Sequence, residues 1–366
     1  MSMKKIVILT LVAGLAIVSA QSCKKEPTSD SSVEYDTTPY RLAIGDFEEP
    51  SIAPDNELTK QGVLLGRMLF YEKKLSKDGS MSCASCHRQE HAFTDTARLS
   101  IGVEKLPGKR QAMAVFNMAW HNNEFFWDGR SHLLRDQSLM PIQDPLEMNE
   151  TLENNVAKLK AEKQYRDQFM RAFGSEEITS EKMSLALEQF MNSIVSVESK
   201  YDRFLRGEAT LTASEERGRA LFFDEFNPGF PSLSGADCAH CHTTRTFEND
   251  LYMNNGLDSD ANMQDIGREE VTGNASDRGK FKVTSLRNVE VTAPYMHDGR
   301  FKALEEVVEH YNSGIKASST VDPALDYTRV SGGLQLTAQD KADLVAFLKT
   351  LTDEVLLTNP EYSDPF

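Results

Sequence analysis

The sequence has no cluster of basic residues and only one long apolar run. Its 40 lysines and arginines are outnumbered by 56 aspartates and glutamates, which gives a formal net charge of −16. An acidic chain without an offsetting basic patch argues against nucleic acid as a partner, and solubility is the simplest explanation of the acidity. The apolar run, residues 6–18, is too short to cross a membrane as a helix. Strand patterns are also sparse, so the fold is predicted to be mainly α.

The N-terminus has the pattern of an export signal. Two lysines precede the apolar run, and small and polar residues follow it up to Cys23. We interpret residues 1–22 as a signal peptide of the lipoprotein type, after which Cys23 becomes the lipidated N-terminus; ordinary cleavage after Ala20 is the alternative. Residues 23–44 are polar and predict a flexible tether. The protein is therefore expected in the periplasm, held at the membrane only by a lipid anchor.

Cysteine is scarce, and four of the five cysteines lie in two copies of one pattern. The copies are Cys83-Ala84-Ser85-Cys86-His87 and Cys238-Ala239-His240-Cys241-His242. C-x-x-C-H is the attachment pattern for c-type haem, in which both thiols form thioethers to the porphyrin and the histidine binds the iron. A zinc site would need a further Cys or His pair close by, and neither copy has one. The sequence thus predicts two covalent haems, each held by the two cysteines of its motif, with His87 and His242 as proximal iron ligands.

Matching segments flank the two haem motifs. The sequence Gly-Arg-x-Leu-Phe precedes each motif, at 66–70 and 218–222, and an Asp-Gly-Arg turn follows each, at 128–130 and 298–300. Repetition on this scale indicates duplicated domains. We predict two tandem c-type cytochrome domains related by internal duplication. The first covers residues 45–206 and includes the linking helices, and the second covers residues 207–366.

Several helices are predicted around these motifs. Leu-Thr pairs open a helix before each haem motif, and two linking helices are expected at about 151–173 and 180–205. A last helix at about 338–351 has Thr337 as its cap, with Asp340 three residues on. In the second linking helix an apolar stripe at helical spacing is most simply core packing. Its members are Met183, Leu187, Phe190, Met191 and Ile194.

The repeat also assigns a residue to the open side of each iron. Eleven residues after the arginine of the turn stand Pro141 in the first half and Tyr311 in the second. Proline has no donor atom for iron, so the first iron is expected to be open. A tyrosine phenolate would close the second iron. Met296 and His310 are alternative ligands there, and packing in a core is the alternative role of Tyr311.

Several segments resemble the bacterial dihaem cytochrome c peroxidases and their MauG relatives. They are Phe125-Phe126-Trp127-Asp128-Gly129-Arg130, residues 141–148 (PIQDPLEM), Leu286-Arg287-Asn288 and residues 292–297 (TAPYMH). The resemblance extends from about residue 45 to 352. It implies that the first haem is the peroxidatic site and that the second accepts electrons.

The resemblance also implies roles for individual residues. Trp127 would carry electrons between the haems, Gln137 would hold peroxide or water, and Glu147 would be the general acid–base. A packed indole and a surface glutamate are the alternative roles of Trp127 and Glu147. Members of the family bind a calcium ion between the domains, and the matching positions here are Gln111, Thr292 and Pro294. Asparagine is usual where Gln111 stands.

Two positions depart from the standard peroxidases of that family. Many of those enzymes cap the peroxidatic iron with a histidine until the second haem is reduced, but the matching loop here is Ser100-Ile101-Gly102-Val103, with Val103 at the expected place. His91 is the alternative capping residue. We therefore expect an enzyme that is ready without reductive activation. The second departure is Tyr311, where standard peroxidases have methionine and MauG-type proteins have tyrosine. An anionic oxygen ligand would lower the potential of the second haem.

The sequence supports three hypotheses about function. The first is reduction of hydrogen peroxide to water, with electrons from a periplasmic donor such as a small cytochrome c or a cupredoxin. The second is a MauG-like oxidase that modifies residues of a partner protein. The third is a dihaem electron carrier without catalysis, against which the open first iron argues. Homodimers are common in the family, so a homodimer is expected by analogy.

Overall fold

The computed structural model describes residues 33–230 and 233–366 of the chain. The signal peptide at 1–22, the lipidation of Cys23 and the first part of the tether lie outside these residues. Residues 34–366 form one compact unit. Within the described residues, no helix has the length and apolar character needed to cross a membrane.

The structure is mainly helical, as predicted, with very little strand. The α-helices are α1 Lys60–Tyr71, α2 Leu134–Gln143, α3 Leu152–Ala161, α4 Lys163–Phe173, α5 Ser180–Ser193, α6 Lys200–Leu205, α7 Ala213–Phe223, α8 Glu269–Thr272, α9 Leu304–Glu309, α10 Pro323–Val330, α11 Ala338–Lys349 and α12 Glu354–Thr358. Strands β1 (Tyr252–Met253) and β2 (Phe281–Lys282) pair antiparallel, with Tyr252 opposite Lys282. Long loops and short 3₁₀ turns make up most of the rest, and the haem motifs lie in such turns.

One hydrophobic core is built around α1 and α5. The whole apolar stripe from Met183 to Ile194 is buried in it, which confirms core packing as its role. Tyr40 and Leu42 also pack against this core, and Tyr40 N donates a 2.9 Å hydrogen bond to Leu58 O. Residues 36–42 therefore lie on the folded body, although polarity had placed them in the tether. The reason is that the two apolar side chains outweigh their polar neighbours.

A second core is built around α7 and α11. There α7 packs against α11 in the way that α1 packs against α5. A Cβ built on Gly66 would lie 1.9 Å from the carbonyl oxygen of Ala186, and one on Gly218 would lie 1.9 Å from that of Asp343. Only glycine allows the two helices of each pair to approach so closely. The segment that follows α12 departs from this repetition, because Tyr362 packs in the first core.

Both predicted linking helices are interrupted. The first breaks at Glu162, which is extended. Leu159 and Tyr165 are both fully buried but would lie about 120° apart around one continuous helix, so the break allows both to face the core. The second breaks after α5, because Asn117 and Asp353 draw the backbone away from helical pairing. Ser196 N donates to Asn117 Oδ1 at 2.8 Å, and Val197 N donates to Asp353 Oδ2 at 2.8 Å.

The predicted helix caps agree with the structure. Thr59 begins α1 by accepting a hydrogen bond from Gly62 N. Thr212 and Thr337 begin α7 and α11 in the same way, and each forms a capping box with an acidic residue three positions on. Of these helices, α1 packs against the turn of the first haem motif and α7 packs against the turn of the second.

Candidate haem sites

The first haem motif lies in the wall of a cavity of about 300 Å³. Cys83, Cys86 and His87 all line it. A 3₁₀ turn, Cys83–Ser85, brings them together, since His87 N donates to Cys83 O at 2.9 Å. The ring nitrogen Nδ1 of His87 donates to Phe93 O at 2.9 Å. This contact fixes the tautomer and leaves Nε2 as the nitrogen for iron.

The second motif repeats this arrangement in a cavity of about 260 Å³ lined by Cys238, Cys241 and His242. His242 N donates to Cys238 O at 3.0 Å, and His242 Nδ1 donates to Phe247 O at 3.1 Å. Burial lowers the pKa of His242 to about 4, and burial also lowers the pKa of the equivalent His87. Both imidazoles are therefore neutral at pH 7, as iron ligation requires.

The residues present fit covalent haem in both cavities. The four motif cysteines are free thiols, and none of them is in a disulfide. Each cavity therefore offers two thiols and one oriented neutral imidazole, which is the donor set of a c-type haem.

The residues expected on the open side of the first iron lie together. Gln137, Pro141 and Glu147 all line the first cavity, the first two from α2. Burial and, to a smaller extent, the nearby Asp144 carboxylate raise the pKa of Glu147 to about 7, against the opposing charge of Arg130. A carboxyl group with a pKa near neutrality can both take and return a proton.

The loop at 100–103 packs against Glu147. Ser100 and Gly102 line the first cavity, and Val103 is buried with its N–H donating to Glu147 O at 2.9 Å. His91 is not among the described residues that line the cavity. The imidazole that does line it, besides His87, is His121, whose position the sequence did not suggest.

His121 is held by two carboxylates of the second half. Its Nδ1 lies 3.2 Å from Asp250 Oδ1, and its Nε2 lies 3.4 Å from Glu248 Oε2. Both ring nitrogens therefore face acidic oxygens and are not directed at iron. No local sequence pattern could have predicted this contact, because about 130 residues separate His121 from its two partners.

On the open side of the second cavity, Tyr311 and Met296 both line the wall. The amide Nδ2 of Asn255 lies 3.4 Å from Met296 Sδ and 3.4 Å from Tyr311 Oη. Tyr311 belongs to a π-helical turn, His310–Gly314, and such turns are frequent at functional sites. Burial raises the pKa of Tyr311 to about 12.

His310 is in a different position. It does not line the second cavity, and its Nε2 donates to Asn255 O at 3.0 Å. Of the three candidate ligands, Tyr311 and Met296 therefore remain.

Trp127 lines both cavities and so lies in the wall between them. Its Nε1 donates to Gln111 O at 2.8 Å. Gln111 also lines both cavities, and its Nε2 donates to Thr94 Oγ1 at 2.9 Å and to Asp95 O at 3.3 Å. The side-chain oxygen of Gln111 is left as an acceptor.

The three residues predicted for calcium lie around the second cavity. Gln111, Thr292 and Pro294 all line it, so the fold brings them into one region. An amide oxygen and backbone carbonyls are donors that suit calcium. Among the described residues no group of three or more His, Cys, Asp or Glu could hold a metal ion, so such a site would depend on these neutral oxygens.

Comparison with known proteins places this geometry in one family. Residues 60–210 match the family described as di-haem cytochrome c peroxidase. The chain is 36% identical over 315 residues to the methylamine utilization protein MauG of Methylorubrum extorquens, which covers 84% of each chain. The chain belongs to the dihaem cytochrome c peroxidase and MauG family. Members of this family carry two c-type haems, and the two motif-bearing cavities fit them.

Other members of this family are similar over most of their length. The cytochrome c551 peroxidase of Nitrosomonas europaea is 35% identical over 292 residues, which covers 79% of each chain. The crystal structure of a MauG-like protein associated with microbial copper homeostasis matches with a TM-score of 0.80 and 35% identity. That match covers 89% of this chain and 99% of the other. Peroxidases and MauG proteins are thus about equally similar to this chain.

Proposed function

We propose that the protein reduces hydrogen peroxide to water at the first haem, with electrons from a small periplasmic redox protein. The observation that carries this proposal is the position of Glu147, a buried carboxyl group with its pKa raised to about 7. It lines the same cavity as His87 and as Pro141, which cannot bind iron. The reaction is H2O2 plus two electrons and two protons, giving two molecules of water. When bound, haem supplies the iron coordination position and the electron-transfer chemistry.

Glu147 transfers a proton between the two oxygens of peroxide, and this transfer favours cleavage of the oxygen–oxygen bond. As a carboxylate it takes a proton from the inner oxygen of peroxide, and as an acid it returns this proton to the outer oxygen, which then leaves as water. Gln137, on the same cavity wall, offers an amide that can hydrogen-bond the bound peroxide. Holding peroxide in one orientation favours transfer of the proton over its loss to water.

We propose that the first iron needs no reductive activation. Val103 replaces a capping histidine, and His121 has both ring nitrogens against carboxylates. Pro141 lines the cavity without a donor atom. These three observations support an iron that is open in the ferric state.

We propose Tyr311 as the second ligand of the second iron, with Met296 as its competitor. Both contact the Asn255 amide and line the second cavity, so they lie at the same part of its wall. An anionic oxygen ligand favours the ferric state, whereas methionine raises the potential.

Electrons would pass from the second haem to the first through Trp127, since this side chain borders both cavities. The repeated contacts support two tandem cytochrome domains that arose by duplication, with a boundary near residue 207. Gly66 and Gly218 occupy the same place in their helix pairs, and His87 and His242 make the same bond to a phenylalanine carbonyl.

Further features of the proposal follow from the family and the N-terminal sequence. We propose a periplasmic protein, anchored through lipid at Cys23, and a calcium ion held by Gln111, Thr292 and Pro294. A homodimer is proposed by analogy alone. A cytochrome c or a cupredoxin would be the electron donor.

The second candidate function is MauG-like oxidation of a partner protein. It is favoured by Tyr311 and by the equal similarity to MauG and to peroxidases. In this case peroxide would be consumed only slowly with every small donor. The third candidate, electron transfer without catalysis, is disfavoured by Glu147 and Pro141 in the first cavity.

The test is steady-state peroxide reduction by the holoenzyme with a reduced cytochrome c. Glu147→Gln should lower kcat by about 10²- to 10⁴-fold, the usual contribution of a general acid–base, with both haems still attached. Glu104→Gln, a half-exposed carboxylate on the neighbouring loop, is the matched control and should retain full turnover. Turnover unchanged in Glu147→Gln would refute the assignment of this residue.

A further inference from the structure

A second group of buried ionisable side chains, apart from Glu147, reaches the two cavities through two of its members, Lys282 and His121. It consists of His121, Glu248, Asp250 and Lys282, which we call the intercavity cluster. The first comes from the first half of the chain and the others from the second half. Their side chains are 7%, 4%, 18% and 1% exposed, so water screens their charges poorly.

Two members of the intercavity cluster, Asp250 and Lys282, contact each other. Lys282 Nζ contacts Asp250 Oδ1 and donates to Asn123 O at 2.6 Å. Asp250 Oδ2 accepts from Asn122 N at 2.7 Å. Burial alone would raise the pKa of Asp250, but the hydrogen bonds from His121 and Lys282 lower it. Asp250 and Lys282 therefore form a fixed ion pair.

The other two members, His121 and Glu248, face each other and can hold a proton on either side chain. Glu248 Oε2 is buried without a hydrogen-bond partner, and it lies 3.4 Å from His121 Nε2. Burial raises the pKa of Glu248. Burial alone would lower the pKa of His121, but Glu248 and Asp250 raise it. A buried oxygen without a partner is costly, and protonation is one way to lower that cost.

The intercavity cluster adjoins the path between the haems. Lys282 N donates to Trp127 O at 2.8 Å. Lys282 lines both cavities, and His121 lines the first. Outside the cluster, Arg268 and Glu124 pair with each other, and Arg268 lies over the Tyr252 ring that Lys282 also contacts. An electron on either haem would therefore act on His121 and Glu248 across a poorly screened distance.

We propose that the pair His121 and Glu248 takes up one proton when an electron enters the haem region, and releases it when the electron leaves. The proton forms one O–H or N–H bond within the pair, and no other bond changes. The charge of the added proton balances that of the added electron, so the summed charge of the haem region and the pair stays constant. Because peroxide reduction consumes one proton for each electron, the cluster would supply protons in step with electrons.

The inference rests on the two haems, and it concerns protons in step with the proposed peroxide reduction. Its test needs no peroxide, so its failure is distinct from failure of the peroxidase assignment. The midpoint potentials of both haems are measured in the holoprotein by spectroelectrochemistry, from about pH 5 to about pH 9, a range that spans the ordinary histidine pKa. In the wild type, at least one potential should fall as pH rises, with a slope that approaches one proton per electron.

Two variants remove the proton position. In His121→Gln and in Glu248→Gln that slope should fall by at least half. His132→Gln and Glu290→Gln are matched controls, because His132 is exposed and Glu290 is half-exposed and paired with Lys349, and both should keep the wild-type slope. A slope that survives in both cluster variants would place the proton elsewhere, for instance on haem propionates, and would overturn the proposal.

A measurement on the wild type alone covers the case in which the variants do not fold. Infrared difference spectra between the reduced and oxidised holoprotein should show a gain in carboxylic-acid absorption or in imidazolium absorption on reduction. In weakly buffered solution, a pH indicator should report uptake of up to one proton per electron. Absence of both signals would overturn the proposal.

Discussion

The indole Nε1 of Trp127 donates a 2.8 Å hydrogen bond to the backbone carbonyl of Gln111. Both residues border both haem cavities, so this bond fixes an aromatic ring in the wall that separates them. Trp127 also lies with its ring centroid 6.5 Å from that of His297, at an interplanar angle of 73°. The ring is thus held from two sides, as its proposed role in electron transfer between the haems requires.

Replacing this bridge should slow electron transfer between the haems. In Trp127→Phe the ring is smaller and loses its hydrogen bond to Gln111, so we expect slower re-reduction of the first haem by the second. Stopped-flow spectroscopy of the half-reduced holoprotein measures this rate. Trp120→Phe is the matched control, since Trp120 bonds to Glu48 O and borders neither cavity. Equal rates in wild type and Trp127→Phe would exclude Trp127 as the bridge.

The rate of reaction with peroxide should depend on the protonation of Glu147. Its pKa is raised to about 7, so the carboxylate that accepts a proton is lost as the pH falls through that value. The second-order rate constant of the ferric holoprotein with peroxide should therefore rise between about pH 6 and about pH 8 and then level off. Glu147→Gln should remove this inflection. An inflection that persists in the variant would belong to another group.

The raised pKa of Glu147 also has a consequence for stability. The folded protein binds a proton at this site more tightly than the unfolded chain does, so the ionised form opposes folding as the pH rises above the unfolded value of about 4.5. Glu147→Gln should therefore raise the Tm of the holoprotein at pH 8 and change it little at about pH 4. Thermal unfolding followed by circular dichroism at the two pH values measures this difference. A Tm gain of equal size at both values would point to packing instead of charge.

The ligand of the second iron should decide the potential of that haem. Tyr311→Met replaces an oxygen ligand with a thioether and should raise the potential, whereas Met296→Leu should leave it nearly unchanged. Redox titration of both variants, followed by optical spectra, measures the two potentials. If Tyr311→Met has no effect and Met296→Leu lowers the potential, Met296 is the ligand.

Much of the helical framework could be predicted, because its signals are local. Thr59, Thr212 and Thr337 cap helices where the sequence places them, and the stripe from Met183 to Ile194 is buried. The haem motifs also fix their own geometry, since five consecutive residues supply both cysteines and the histidine. The sequence pattern alone is sufficient to predict the local structure where the partners of a residue lie within one turn.

Features that depend on distant partners could not be predicted. The second linking helix ends early because Asp353, more than 150 residues away, accepts the backbone hydrogen bonds of residues 197 and 198. The C-terminal segment joins the first core through Leu356 and Tyr362, which no repeat suggested. The position of His121 between Glu248 and Asp250 likewise depends on the fold. Of the site itself, the sequence suggested the haem motifs, Gln137, Glu147, Trp127 and Tyr311, all of which line the cavities, but not the Asn255 amide shared by Tyr311 and Met296.

The most direct test of an open, acid–base-assisted first iron is the reaction of the ferric holoprotein, never reduced, with one equivalent of hydrogen peroxide. Before mixing, electron paramagnetic resonance should show one high-spin and one low-spin haem. After mixing, the high-spin signal should disappear rapidly and the optical spectrum should change without any reductant. Two low-spin signals and an unchanged spectrum would contradict the proposal, since an unforeseen ligand would then close the first iron.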